Sequence, residues 1–481
     1  MTRRSPGCLT LFPILLAGCV QGPNYQKPEI EVPSSYRFSD SDFMLAASPT
    51  EGRMWWDGLG DPVLNALVRE CLANNRDLRI AAARVDEFAA VLAGTKAQGL
   101  PQIGYGLSGN RARMSEEKLP LQIDPKSTTW TSLLSASWEI DLWGRINRET
   151  EAARANLLAT EEARRGVVLT LIASVVISYV TLLDLDEQLR ITEATAAGRA
   201  KSVDVFETRL EAGWISEFEM SQVRGEYEAA LAQIPGIKQA IALQENALSV
   251  LLGRNPSAIA RGSVLANLNS PPIPAGLPSE LLTRRPDIMA AEQQLIASNA
   301  LIGAARALFF PRISLTALFG FVSADLGNLF SGPARTWSFT GDVAGPIYSG
   351  GGLSAAVDQA EARKDQSFAN YELTIQNAFR DVDDSLAGVR NSRELQQVLE
   401  RRVSTLRRGL DLANERYENG YSDYLEVLDT ERSLFNAELQ LASARGDSYR
   451  SLANLYRALG GNWSEGPTGA ESAQPPAGSS R

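Results

Sequence analysis

The chemistry open to this 481-residue chain is narrow, because the sequence contains no histidine. No Ser-His-Asp triad or Cys-His pair can be assembled. No His-ligated zinc, copper or haem site is possible. Carboxylate-only chemistry survives, such as glycoside hydrolysis by two acids. Acid pairs exist, Asp383-Asp384 among them. Adjacent residues on a helix point apart, however, and no pocket-like acid cluster accompanies them. A carboxylate hydrolase is therefore a poor fit. The balance of 47 Lys+Arg against 57 Asp+Glu gives a formal net charge of −10. A nucleic-acid partner would demand the opposite sign.

Of the three cysteines, Cys19 has the setting for covalent chemistry. Thr2-Arg3-Arg4 is basic, and Leu9 to Ala17 is mostly apolar but too short to span a membrane. Leu16-Ala17-Gly18 then precede Cys19. Small residues before a cleavage point mark a secretory signal. A cysteine directly after them resembles a lipobox, in which Cys19 becomes the first mature residue and carries lipid. The alternative is an ordinary signal peptide with a chance cysteine. Val20 follows instead of the aspartate that retains lipoproteins at the inner membrane, which favours the outer membrane. Cys8 would leave with the signal, and Cys71 alone cannot form an internal disulfide. It sits in an apolar helical pattern (Leu64, Leu67, Val68, Cys71, Leu72) and reads as a buried structural residue.

The elements that position such residues come in two copies. Arg209-Leu-Glu-Ala-Gly213 and Arg416-Tyr-Glu-Asn-Gly420 match at an offset of 207, as do Leu252-Gly253 and Leu459-Gly460. Earlier in each copy the offset is 210: Ala81, Val85, Ala90, Ala97, Pro101 and Ile103 match Ala291, Leu295, Ala300, Ala307, Pro311 and Ile313. The sequence therefore divides into a signal (1–18), an N-terminal lipidated segment (19–61), a first repeat (62–254), a Pro-rich linker (255–283), a second repeat (284–463) and a disordered tail (464–481).

Each repeat opens with an Ala-rich helix, over Val63 to Gln98 and Leu281 to Phe309, that ends before Pro101 or Pro311. Two-residue alternation follows. Ile103, Tyr105 and Leu107 share one face, as do Leu134, Ala136, Trp138, Ile140 and Leu142. In the second copy so do Ile313, Leu315, Ala317, Phe319 and Phe321, then Trp337, Phe339 and Val343. One apolar face against a polar or small one is the strand pattern of a membrane barrel; a soluble hairpin on a core shares it. Trp130, Trp138, Trp143, Trp337 and Tyr348 stand where an aromatic girdle would be. A proline-free helix of roughly 95 Å then runs from Arg148 to Ala212, with its counterpart from Leu353 to Asn419.

Gly166 to Leu183 carries no charge and is long enough to span a membrane. Its counterpart around Tyr371 to Val389 holds Arg380, Asp381, Asp383 and Asp384, so this stretch reads as a helix against helices. Gly213 and Gly420 close the long helices. Ser216 with Glu219 and Asp423 with Glu426 fit capping boxes that start the return helices. Each repeat is thus helix, strand pair, long helix, tight turn and return helix, with the turns at one end and the strands at the other. Four strands leave two open edges, which lipid does not tolerate, so the chain must associate.

This order of elements resembles the outer-membrane factor family of TolC-like export channels, more narrowly its OprM-type efflux lipoproteins. Carrying the resemblance are Gly22-Pro23-Asn24-Tyr25, Trp55-Trp56 with Asp61-Pro62, and Trp138-Glu-Ile-Asp-Leu-Trp-Gly-Arg145. Arg284-Arg-Pro-Asp-Ile288, Ile302-Gly-Ala-Ala-Arg306 and Phe309-Phe-Pro311 complete it. It implies a mainly α fold with membrane β: two tandem repeats, trimerising into a 12-stranded outer-membrane barrel continued by a periplasmic α-helical barrel. It implies a passive exit duct for small toxic compounds, with no catalysis and no cofactor or metal. The partners would be outer-membrane lipid, a periplasmic adaptor and an inner-membrane transporter, proton-driven on the lean that the lipobox gives. The turns with Arg209, Gly213, Arg416 and Gly420 would receive the adaptor. Glu426 and Asp429 match the positions that narrow the tunnel mouth, and Tyr417 would link to Glu219 to hold it shut. Many relatives carry arginine at Ser422, so one closing ion pair would be missing. Capping competes with gating for Glu219 and Glu426. Asp429 lies past the first turn, and its repeat partner is Gln222, so capping does not explain it. The alternatives are the exit duct of a type I protein secretion system and a pore-less coiled-coil lipoprotein.

Overall fold

A computed structural model describes residues 20–38, 54–115, 117, 124–271 and 278–461. The signal, Cys19 and the tail lie outside the described residues. Among those described, the chain is mainly helical with one four-stranded antiparallel sheet. In order the elements are α1 (Pro62–Asn74), α2 (Arg76–Ala97), β1 (Gln102–Arg113), β2 (Lys126–Ile140), α3 (Arg145–Glu211) and α4 (Glu217–Leu251). The second half gives α5 (Leu281–Arg284), α6 (Pro286–Ala307), β3 (Arg312–Ser323), β4 (Arg335–Ala344), α7 (Gly352–Glu418) and α8 (Tyr424–Ala458). The repeat holds at element level. α2 and β1 recur as α6 and β3 after 210 residues, α3 and α4 as α7 and α8 after 207. Both long helices have 67 residues and both return helices 35.

The long helices stop for one reason. Gly213 (φ +74°) and Gly420 (φ +75°) adopt the left-handed backbone that a Cβ disfavours. Each turn then folds two N–H groups back onto last-turn carbonyls. Gly213 bonds Leu210 and Trp214 bonds Arg209, both at 2.9 Å; Gly420 bonds Tyr417 at 3.0 Å and Tyr421 bonds Arg416 at 2.8 Å. This Schellman closure satisfies carbonyls that a helix end leaves bare.

Two expected helices are broken. The stretch from Val63 to Gln98 is two helices, because Asn75 turns extended (ψ 138°) and its side chain caps α2, accepting from Leu78 N at 3.0 Å. Likewise Leu281 to Phe309 is α5 and α6, since Pro286 forces Arg285 out of the helical region (ψ 120°). α3 begins at Arg145, and Leu142 lies in a turn, not in β2. The cause is Asp141, whose carboxylate accepts from Ile146 N (3.1 Å) and Asn147 N (2.8 Å) and so caps the helix.

The contacts divide the chain into two compact units. One comprises Met1–Ile30, Ala83–Glu162 and Ala290–Leu373 and contains the sheet, in the order β1-β2-β3-β4. Register places Tyr105, Leu134, Phe319 and Trp337 in one row, and Ile103, Ala136, Ala317 and Phe339 in the next. A row on the opposite face holds Gln102, Ser137, Thr316 and Thr340. The large side chains of the apolar face, Ile103, Tyr105, Trp337 and Phe339 among them, are exposed. Gly109 admits the Trp130 ring: a Cβ there would stand 2.4 Å from a ring atom. Trp143 bonds the Pro311 carbonyl at 2.7 Å and stacks on Phe310. The segment from Val20 is pinned nearby. Gln21 N donates to Trp143 O (3.1 Å), while Arg148 donates to Gln21 O (3.0 Å), Gly22 O (3.2 Å) and Asn24 Oδ1 (2.8 Å).

The other unit comprises Glu31–Ala82, Ala163–Met289 and Thr374–Arg481. Its core gathers Val175, Val176, Tyr179, Val180 and Leu182 from the uncharged stretch of α3. Against them lie Leu64, Val68 and Cys71 of α1, Leu248 at the end of α4, and Leu452 and Leu455 of α8. More than half of that apolar window is buried inside the protein, as the sequence reading expects. Cys71 is buried, and burial pushes its thiol up to about 11. Asp61 knots this unit together. Fully buried, it caps α1 through Val63 N (2.8 Å) and Leu64 N (3.3 Å), and accepts from the Tyr179 hydroxyl (2.8 Å) and Ser263 N (2.9 Å).

Asp61→Ala strips a helix cap and leaves buried donors unpaired, a loss of about 3 kcal/mol. Denaturant unfolding of the detergent-solubilised protein should show it, and an unchanged midpoint would contradict the knot.

Candidate functional site

The helix-turn tip brings together every site residue expected from the sequence except Cys19, which lies outside the described residues. Two turns, after α3 and after α7, present Trp214 and Tyr421 at equivalent positions; one turn further on stand Phe218 and Leu425. All four side chains are exposed, Trp214 at 80%. Behind them Phe206, Met220, Val223, Ala413, Tyr424, Val427 and Leu428 form a small buried core contributed by both hairpins. Its centre is aromatic: the rings of Phe206 and Tyr424 are 4.2 Å apart, those of Tyr417 and Tyr424 5.1 Å. Burial raises the Tyr424 hydroxyl above its ordinary range.

Tyr417 does not bond Glu219 within the chain. Its hydroxyl accepts from Arg209, whose guanidinium lies over the Phe206 and Tyr417 rings at 5.4 and 5.5 Å. Glu219 is committed to a complete capping box. Its carboxylate accepts from Ser216 N (2.7 Å) and Ser216 Oγ (2.9 Å), while Glu219 N donates to Ser216 Oγ (3.2 Å). These bonds hold the Glu219 carboxyl below its ordinary range.

The second box does not form. Asp423 makes no side-chain cap, and Glu426 instead stands 3.4 Å from Arg416. The repeat explains the difference. Arg209 and Arg416 are equivalent, but Leu210 stands where the second copy has Tyr417. Tyr417 draws Arg209 away from the first hairpin, so Glu219 caps. Arg416 has no such partner and takes Glu426. Asp429 is exposed and paired with Arg432 one turn on, by Nη2 to Oδ1 at 2.5 Å. Their repeat partners are Gln222 and Gly225, so this ion pair exists only in the second copy. The Ser422 hydroxyl is buried without a hydrogen-bond partner, so no ion pair is made at that position.

Sequence reading missed Arg432, Phe206 and Tyr424. The i, i+3 spacing of Asp429 and Arg432 was signal enough for the first. The Phe206–Tyr424 contact joins residues far apart in sequence and left no local trace.

The family described as Outer membrane efflux protein matches residues 67–254 and 277–461. The solvent efflux pump outer membrane protein SrpC of Pseudomonas putida is 38% identical over 465 residues, covering 95% of this chain and 98% of that one. The cation efflux system protein CusC of Escherichia coli K12 is 37% identical over 467 residues, covering 95% and 98%. Among solved structures, the open state of the Neisseria gonorrhoeae MtrE outer membrane channel superposes with a TM-score of 0.82. It is 30% identical, over 92% of this chain and 98% of that one.

Ser216→Ala should cost about 1 kcal/mol of unfolding stability, whereas Asp423→Ala should change it by less than about 0.5. Thermal melts of the two variants compare them directly. Equal losses would mean that both turns are capped alike.

Proposed function

The chain belongs to the outer membrane efflux protein family, and on that premise we propose how its parts work as a duct. It is the outer-membrane channel component of a tripartite bacterial efflux system for small toxic compounds, and catalyses no reaction. It lies in the outer membrane with a periplasmic α-helical extension, and the system includes an adaptor and an inner-membrane transporter. Three features extend this function: assembly, anchoring and the tip.

The first is assembly, and one observation carries it. The sheet has one exposed apolar face and one small or polar face, and β1 and β4 each pair on a single side. Bare strand edges are not tolerated in lipid. β1 of one copy therefore pairs with β4 of the next, and three copies close twelve strands with lipid outside and water inside. The second is anchoring: Cys19 carries lipid. The pinned segment from Val20 supports this, since it fixes the chain immediately after Cys19 beside the turn from β2 to α3. The third is the tip. The turns at Gly213 and Gly420, with Arg209, Arg416 and the exposed Trp214 and Tyr421, receive the adaptor. Arg209 with Tyr417 ties the hairpins together, and Asp429 with Glu426 lines the mouth. Each of these carboxylates brings its own arginine, Arg432 or Arg416. The mouth is thus a ring of paired charges rather than of bare anions, and removing one partner exposes the other. The transporter delivering the cargo is proton-driven.

Asp429→Ala should shift selectivity toward anions in planar-bilayer recordings by freeing Arg432, and the double variant with Arg432→Ala should return it to near the wild-type value. An unaltered reversal potential in the single variant would remove Asp429 from the mouth. Cys19→Ser should lose incorporation of labelled fatty acid while still forming trimers in detergent; continued labelling would exclude the anchor. Cells lacking the gene should become sensitive to organic solvents or antibiotics, and an unchanged panel would remove those compounds as cargo.

A further inference from the structure

Arg199 is a buried cation near the tip. It lies on α3. Its guanidinium donates to the Glu226 carbonyl at 2.6 Å and pairs with the Glu226 carboxylate at 3.0 Å, both on α4 of the same hairpin. It also lies over the Phe435 ring of α8, 5.5 Å from its centre, and so reaches into the other hairpin. Its Nε–H is buried with no acceptor. Glu431 is one turn before Phe435 on α8 and therefore shares its face; it is half-buried.

The charges acting on Glu431 come from Arg199 on α3 and Glu226 on α4. Tyr424 on α8 itself stands beside it, hydrogen-bonded to Ser202 of α3, and Tyr417 of α7 faces Tyr424. One buried cation thus serves two carboxylates. Glu226 holds it through two contacts, and the unmet Nε–H shows that Glu431 does not complete the set. An ionised Glu431 is therefore an extra enclosed negative charge with attraction but no hydrogen bond to offset its dehydration.

We propose that Arg199, Glu226 and Glu431 form a proton-sensitive latch between the two hairpins, in which ionised Glu431 favours separation of α8 from α3 and α4 and protonated Glu431 favours their contact. This rests on the channel reading and adds the regulation of its mouth. The sign follows from the enclosure. Burial pushes the Glu431 carboxyl up, Arg199 opposes this, and Glu226 adds to it. Separation lets water reach the carboxyl and returns it toward its ordinary value. The closed form then binds the proton more tightly, so closure gains as pH falls through the raised value and is weakened as pH rises above it.

The test uses the full-length protein in detergent, with spin labels on Ala212→Cys and Asn419→Cys reporting the distance between the turns, and planar-bilayer conductance recorded alongside. Between pH 7.5 and 5 the separated population should fall, by about tenfold for each unit by which Glu431 titrates higher closed than open. Glu431→Gln should stay in the closed distribution throughout and lose the pH response. Glu226→Gln should move the midpoint to lower pH, and Arg199→Met should move it higher. Circular dichroism and trimer content check that each variant is folded, and Glu431→Asp, which keeps a titrating group, should retain a midpoint. A pH response surviving in Glu431→Gln, or identical midpoints in the wild type and Glu226→Gln, would overturn the latch. Distances that respond without any conductance would instead overturn the channel reading and leave the latch standing.

Discussion

Everything in this protein answers to the backbone of four strands that cannot close on themselves. An N–H or C=O at the edge of β1 or β4 has no water to turn to inside hydrocarbon. Leaving even a few unpaired costs several kcal/mol each. Further apolar contact along one face of the sheet cannot repair that, because the missing partners are directional. On the proposed assembly the chain is thus incomplete alone. Its exposed rows of Tyr105, Trp337 and Phe339 are surplus for a soluble monomer and appropriate for a wall facing lipid.

The duplication shows how one backbone supports two jobs. The turns at Gly213 and Gly420 have the same dihedrals and the same two closing hydrogen bonds. Their side chains have parted. In the first copy Ser216 and Glu219 form a self-contained cap, which is local and tolerant of its surroundings. In the second, Asp423 is idle, and Glu426 and Asp429 each hold an arginine by charge. A cap is indifferent to its neighbours; exposed ion pairs are weak and easily exchanged. On these contacts the second turn has less local hydrogen bonding to lose if it is rearranged.

What could be read from the sequence was whatever is written locally. The closing glycines, the alternation of Ile103, Tyr105 and Leu107, and the Ser216–Glu219 box all carry their signal within a few residues, and the offsets of 207 and 210 only pair such local patterns. Burial of the uncharged stretch of α3 was legible too, because its repeat partner holds Arg380 and Asp381 and the copies share one backbone. The breaks at Asn75 and Arg285 were hidden, since apolar periodicity continues through them while a single side-chain cap or proline decides the matter. The tip was hidden more deeply. Tyr417 bonds Arg209, 208 residues away, and which of two equivalent arginines finds a phenol depends on a contact between copies.

The equal lengths of the helices have a consequence for how such a chain can change. The 67-residue runs of α3 and α7 and the 35-residue runs of α4 and α8 agree residue for residue, while β2 has 15 residues and β4 has 10. One residue inserted into α7 would turn everything beyond it by about 100° and advance it by about 1.5 Å. Side chains that meet water would then meet a neighbouring helix, along the whole remaining length. Insertions and deletions are therefore confined to the hairpin side of each repeat, where the shift from 210 to 207 is found. The helices keep count, and the loops between strands are free to vary.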